Sequence, residues 1–310
     1  MEPASDSDIR GTWGTLLLPI QSDDSICWTR LAGEIDSLIA AGVDGIYSNG
    51  TACEFHAQSE AEFDRIHHLL AEKCETAGIA WQAGASHMCA QTSLDRVRRA
   101  AFLKPSAIQV ILPDWYPVSD EEAVRFLARV AAEAAGVPLV LYNPPHAKRS
   151  LTPADFGILA RAVPALAGVK VAHSGADWCS EFLRLAPGLA LFVPGHELAS
   201  GIMHGAHGAY SNVACLSPAG AVRWNRQMSS DPAGALDLEA RIGQFFAEHV
   251  LPFRRERGIS SPGLDKLLAA IGGWADVGTR LRWPYSWIPE VEAVRLRPAA
   301  RERLPELFAE

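Results

Sequence analysis

Ala165-Leu166-Ala167-Gly168-Val169-Lys170 is a short apolar run that ends on a charge. Small and branched residues in succession, without polar alternation, suit a strand buried on both faces, and the lysine marks where that burial gives out. The same pattern recurs along the chain as Thr15 to Ile20, Gly45 to Ser48, Ile79 to Gly84, Ala107 to Leu112, Pro138 to Tyr142, Ala167 to Lys170, Leu189 to Val193 and Gly208 to Ser211. A turn and a longer segment with helical spacing follow most of these runs. Eight short apolar runs alternating with helices predict an α/β fold whose parallel sheet closes on itself, a (β/α)8 TIM barrel.

The helices are signalled by their caps. Ser59-Glu60-Ala61-Glu62 and Ser119-Asp120-Glu121-Glu122 fit the box in which a serine side chain takes an orphan N–H and a glutamate returns the bond. Thr152-Pro153 starts another helix, with proline where no N–H is needed. Beyond about residue 225 the strand signal ends. Leu236 to Val250 reads as one amphipathic helix closed by Pro252, Gly263 to Ile271 as a second, and Pro284 to Leu307 as a region carrying a last one. The expected organisation is a flexible tail over 1–10, a catalytic barrel over 11–225 and an appended C-terminal helical region over 226–310.

Composition narrows the function. A net charge of −8 argues against a phosphate-backbone partner, and Arg254-Arg255-Glu256-Arg257 reads as a helix end, where cations favour the dipole. No apolar stretch approaches the roughly 18 to 20 residues that span a bilayer, and the acidic start Met1 to Asp8 lacks the parts of a signal peptide, so a cytoplasmic location is expected. The six cysteines are scattered without a C-x-x-C pair, which points to reduced thiols. His196, His204 and His207 suggest metal ligands at first sight, but His204 and His207 lie among Gly and Ala with no acidic partner at ligand spacing, so no metal site is expected.

In a parallel barrel the reacting groups come from the carboxyl ends of the strands. The residues that follow the runs are Asn49-Gly50-Thr51-Ala52-Cys53-Glu54, Pro113-Asp114-Trp115-Tyr116, Tyr142-Asn143-Pro144-Pro145 and Lys170. A lysine there is either a solvated surface charge or an amine whose proton affinity burial lowers from about 10.4, freeing a nucleophilic lone pair.

Gly50-Thr51-Ala52-Cys53-Glu54 resembles a G-T/S-T-G-E loop, Leu141-Tyr142-Asn143-Pro144-Pro145 a Y-N-x-P segment, and Gly168-Val169-Lys170 a G-[IV]-K motif. Together, on strands two, five and six, they resemble the dihydrodipicolinate synthase and N-acetylneuraminate lyase family of class I aldolases, from about Gly11 through Pro218. The resemblance implies that Lys170 forms an imine with pyruvate or a related 2-oxo acid and that Tyr142 and Thr51 shuttle protons. It implies further that the Thr51-Ala52 loop holds the substrate carboxylate, that Tyr210 lines the pyruvate pocket, that no cofactor is needed, and that the chain forms a homo-oligomer, a tetramer or dimer.

Several positions depart from the family pattern. Ala52 lacks a hydroxyl and Cys53 replaces a glycine, either as a small buried filler or as a redox-sensitive thiol. Trp115, with Tyr116 beside it, stands where a neighbouring subunit's relay tyrosine is expected. Ala147 replaces the synthases' carboxylate-binding arginine, for which Lys148 or Arg149 is the substitute, and Val171 replaces a glutamate. These losses fall on features specific to lysine biosynthesis and argue against a dihydrodipicolinate synthase proper. His173, His196 and Glu197 stand where lyases of the family contact a polyhydroxylated chain. The expected activity is cleavage or dehydration of a 2-oxo sugar acid-like substrate; a barrel that binds 2-oxo acids without turnover is the alternative.

Overall fold

A computed structural model describes residues 9–172, 175–210 and 212–309. Eight parallel strands close into a barrel in sequence order: β1 (Gly11–Thr15), β2 (Gly45–Tyr47), β3 (Ala80–Gly84), β4 (Ala107–Val110), β5 (Leu139–Tyr142), β6 (Leu166–Lys170), β7 (Ala190–Pro194) and β8 (Gly208–Tyr210). The intervening helices are α1 (Trp28–Ala40), α2 (Glu60–Ala77), α3 (Ala90–Phe102), α4 (Asp120–Glu133), α5 (Pro153–Ala162), α6 (Ala176–Leu185) and α7 (Leu198–Met203). Both serine boxes form, at α2 and α4, and Thr152 with Asp155 makes a third at α5.

Closure depends on close backbone approach between β1 and β8. A Cβ added to Gly208 would lie 2.1 Å from the carbonyl oxygen of Gly11, so only glycine fits there. Strand β1 itself departs from expectation. The run Thr15 to Ile20 is not the strand; Gly11–Thr15 is, and Leu16, Leu17, Leu18 and Ile20 are buried in the loop that follows it. Apolarity there recorded burial rather than strand pairing. Of the expected tail, residues 1–8 lie outside the described residues, and Ile9 is buried among Trp13, Tyr47, Phe192 and Tyr210 inside the barrel.

In β6 the register slips. Leu139 pairs with Leu166 but Val140 pairs with Gly168, so one residue is extra on β6. Such an irregularity reverses the alternation of side chains. Leu166 and Val169 pack outward against the helices, while Ala167 joins the barrel interior. Lys170, three residues after Ala167, is thereby turned inward at the mouth, level with Tyr142.

After β8 come α8 (Asn212–Leu216), α9 (Pro218–Gln227) and α10 (Pro232–Phe245), then a π-helical turn at Phe246–Val250 that leads into α11 (Leu251–Arg257). The helix expected to stop at Pro252 instead runs on through the π-helical turn to Arg257. Pro252 lies in the first turn of α11, where its missing N–H breaks no bond. The basic cluster ends α11 as the dipole favours. Helices α12 (Ser261–Gly272), α13 (Glu290–Arg303) and α14 (Pro305–Phe308) follow, and their apolar residues share one core with the barrel's outer layer. No helix among the described residues is long and apolar enough to cross a membrane.

A buried ion pair joins barrel to helices. Lys266 of α12 donates to Glu54 Oε1 at 2.6 Å and to the carbonyl of Arg280 at 2.6 Å, while Glu54 Oε2 accepts from the N–H of Arg282. Both ionised side chains are almost fully enclosed, at 0% and 1% exposure. Removing one partner, by Glu54→Ala or Lys266→Ala, strands the other charge and is expected to cost about 3 to 5 kcal/mol, whereas Glu54→Leu combined with Lys266→Met recovers most of that. Urea unfolding followed by tryptophan fluorescence measures all three; single variants as stable as the parent contradict it.

Candidate active site

Each functional side chain is presented by the carboxyl end of a strand or by a helix packed over the barrel mouth. The loop after β2 forms a tight 3-10 turn at Thr51–Cys53, and Glu54 ends it in the left-handed region at φ 51°. Gly50 precedes it for lack of room: a Cβ there would meet the Tyr47 ring at 3.0 Å and Lys170 Nζ at 3.5 Å. Cys53 is fully buried and burial pushes its thiol up to about 12, which makes it an inert filler.

Lys170 lies in a cavity of about 400 Å³ whose lining includes Thr51, Ala52, Tyr142, Glu197, Tyr210 and Asp265. Its ammonium sits over three tyrosine rings, 4.3 Å from the centroid of Tyr142, 4.6 Å from Tyr47 and 5.1 Å from Tyr210, and it donates to Tyr47 Oη at 3.3 Å. Ring faces favour a cation, whereas removal from water disfavours it. Desolvation wins, bringing Lys170 down from 10.5 to about 8 against the opposing charge of Asp265. At neutral pH roughly a tenth of the amine is then free, several hundred times more than in an unperturbed lysine.

Tyr142 Oη lies 3.2 Å from Thr51 Oγ1, so the two hydroxyls share a hydrogen bond at the cavity that holds the amine. Burial pushes the Tyr142 phenol up to about 12, which keeps it protonated as a donor. Tyr210 turns its hydroxyl away from the mouth to donate to Gln82 Oε1 at 2.7 Å, leaving its ring as the cavity floor. Glu197 lies on the opposite wall with His196, whose Nδ1 is 2.9 Å from Asn212 Nδ2. Asn212 Oδ1 is buried without a partner and Asn212 lines the same space, an acceptor left open toward the cavity.

Other expected residues are placed elsewhere. Trp115 and Tyr116 are 79% and 84% exposed and do not line the Lys170 cavity of their own chain. Lys148 holds that loop outward, donating to the Trp115 carbonyl at 2.7 Å and lying over its ring. Arg149 pairs with Asp120 and Asp155 and donates to the Val118 carbonyl. Lys148 lines neither this cavity nor the chamber beside it, whereas Arg149 lines the neighbouring chamber with its guanidinium held by carboxylates. Glu54 serves the structure through Lys266 and Arg282. His173 lies outside the described residues. Among the described residues no group of three His, Cys, Asp or Glu side chains is arranged around a metal position.

Sequence reasoning missed Tyr47 and Asp265. Tyr47 ends β2 and was findable by the rule that located Lys170, that residues at carboxyl ends of barrel strands carry the chemistry. Asp265 has no local signal, because it belongs to α12 and reaches the mouth only through tertiary packing. A second chamber of about 650 Å³ adjoins the first, shares Thr51, Tyr142 and Arg254 with it, and is walled largely by apolar side chains such as Phe55, Ile111, Leu112 and Pro144.

A 4-hydroxy-tetrahydrodipicolinate synthase from Acidobacterium capsulatum is 28% identical over 183 residues, 58% of this chain and 60% of that protein, less than two thirds of its length. An N-acetylneuraminate lyase from Citrobacter koseri is 28% identical over 204 residues, covering 65% of this chain and 68% of the relative. In fold, the chain matches YagE, an E. coli K12 prophage protein of the dihydrodipicolinic acid synthase family crystallised with pyruvate, with a TM-score of 0.83 at 21% identity over 95% of this chain and 98% of the other. It likewise matches CdNal from Clostridium difficile, crystallised with mannosamine, with a TM-score of 0.82 at 17% identity over 97% and 99%. The description of the Dihydrodipicolinate synthetase family fits residues 8–250, and the chain belongs to that family.

Proposed function

We propose that this protein is a class I lyase in which Lys170 forms an imine with pyruvate or a related 2-oxo acid. The observation that carries the reading is the amine itself: brought down to about 8, ringed by tyrosines and adjacent to a hydroxyl pair. Lys170 Nζ attacks the keto carbon, and the Tyr142–Thr51 path delivers the proton with which the carbinolamine oxygen departs as water. The resulting iminium draws electrons from the neighbouring C–C or C–H bond. The backbone N–H groups that open the turn at Thr51 and Ala52 face the substrate carboxylate; Ala52 itself adds no hydroxyl, a difference worth about 1 kcal/mol in hydrogen bonding.

Beyond the reacting carbons, Glu197, His196 and the unpaired Asn212 Oδ1 suit a hydroxylated chain, so the substrate class we infer is a 2-oxo sugar acid, cleaved or dehydrated. Dihydrodipicolinate synthase activity is disfavoured because Lys148 and Arg149 are committed to other partners. Trp115 and Tyr116, on the outside of their own chain, are suited to reach a neighbouring copy in a homodimer or homotetramer. A cytoplasmic protein with reduced thiols fits the buried cysteines Cys53, Cys74 and Cys179, none of which forms a disulfide.

Incubation with pyruvate and borohydride is expected to add a reduced three-carbon adduct to Lys170 by mass spectrometry, and Lys170→Ala to abolish it. Absence of an adduct with every 2-oxo acid tried sinks the proposal. Because the ammonium cannot attack, initial trapping should rise with pH as Lys170 loses its proton near 8 and level off above. Tyr142→Phe should lower turnover by about 10²- to 10⁴-fold, as loss of a proton-transfer group does. A panel of 2-oxo sugar acids assayed for pyruvate release or water loss separates a lyase from a barrel that only binds.

A further inference from the structure

Helix α12 brings a carboxylate to the cavity of Lys170 from outside the barrel. Ser261, Leu264, Asp265 and Leu268 recur at steps of three and one, so they share a helix face, and all four line that cavity. Leu264 and Leu268 are buried at 6% and 1%, which seats this face firmly, and Asp265 is the ionisable residue on it. The next residue, Lys266, anchors the helix through Glu54 and the Arg280 carbonyl. Asp265 is half-buried, and none of the hydrogen bonds or ion pairs among the described residues engages its carboxylate. A half-covered acid that the protein does not bond, lining a cavity beside a buried lysine, is available to a ligand. It and Lys170 line one cavity of about 400 Å³ without an ion pair between them.

We propose that Asp265 is a catalytic acid–base residue that moves the proton on the C4 oxygen of a 2-oxo acid held as an imine on Lys170. The inference rests on that imine reading. In cleavage the C3–C4 bond breaks and its electron pair becomes the C2–C3 double bond of an enamine, discharging the iminium. The C4 hydroxyl loses its proton to the Asp265 carboxylate as the aldehyde C=O forms. In dehydration the C3 proton leaves first through the Tyr142–Thr51 path. The enamine pair then forms C3=C4, and the C4 oxygen departs as water with the proton of Asp265. Neither route needs an oxidant or reductant.

The surroundings support such a role. Burial pushes the Asp265 carboxyl up to about 7, opposed by Lys170 of β6 and Arg254 of α11, while Tyr47 of β2, Tyr142 of β5 and Cys215 of α8 feel its charge. Glu197 and His196 complete the ionisable lining. A group near neutrality both takes and returns a proton readily.

Asp265→Asn and Asp265→Glu in the full chain test this, read by borohydride trapping with pyruvate and by turnover of the sugar acid found active in the panel. Asp265→Asn should still trap pyruvate on Lys170, with its pH profile moved to lower pH because a neighbouring negative charge is gone. Its kcat should fall about 10²- to 10⁴-fold with KM little changed, the limb of the kcat profile near pH 7 should disappear, and Asp265→Glu should restore part of the rate. An asparagine variant that keeps parental kcat and that limb overturns the assignment, and so does one that can no longer trap pyruvate. Failure of the unsubstituted chain to trap any 2-oxo acid removes the imine reading and this one with it, so the two failures are told apart.

Discussion

The buried contact between Glu54 and Lys266 is the constraint through which barrel and C-terminal helices become one site. Glu54 closes the turn that carries Thr51 and Ala52, and Lys266 follows Asp265 on α12. A pair this enclosed tolerates little displacement, because moving either charge leaves the other unsolvated and unpaired. Thr51, Lys170 and Asp265 therefore keep their relative positions although they come from a loop, a strand and a distant helix. The pair's value lies in placement more than in net stability, since desolvating both charges offsets much of their attraction.

Two opposing effects set the reactivity of Lys170. Tyrosine faces and the charge of Asp265 favour its ammonium, while the cavity's low polarity favours the free amine, and the balance falls at about 8. Stronger attraction from Asp265 would return the lysine to the inert range; without it the amine would lose its proton at still lower pH. The carboxyl near 7 and the amine near 8 thus hold each other close to neutrality, where proton transfer in both directions is easiest.

The expected barrel was legible because its signals are local. Short apolar runs, serine boxes and a proline at a first helical turn each depend on a few neighbouring residues, and seven of the runs lie on or within a residue or two of β2 to β8. The exception, Thr15 to Ile20, failed because burial and strand pairing are different properties: Leu16 to Leu18 are covered by packing while Gly11–Thr15 makes the ladder. Pro252 misled for a similar reason, since proline stops a helix in its interior and starts one in its first turn.

Much of the site was readable in the same way. Lys170, Tyr142 and Thr51 follow apolar runs, and residues at carboxyl ends of parallel strands must meet on one rim, so their convergence follows from the order of the elements alone. What the linear chain could not disclose is direction and distance. The slipped register in β6 turns Lys170 inward, the Tyr210 hydroxyl points down to Gln82, and Trp115 and Tyr116 face away from their own cavity. Asp265 needed the whole fold: it lies 95 residues beyond Lys170 in sequence and meets it only because α12 packs across the barrel mouth. The sequence by itself determined the barrel and singled out Lys170, through periodicity and motif; tertiary structure alone decided which side chains surround that lysine, because burial and Coulomb interactions act through space and not along the chain.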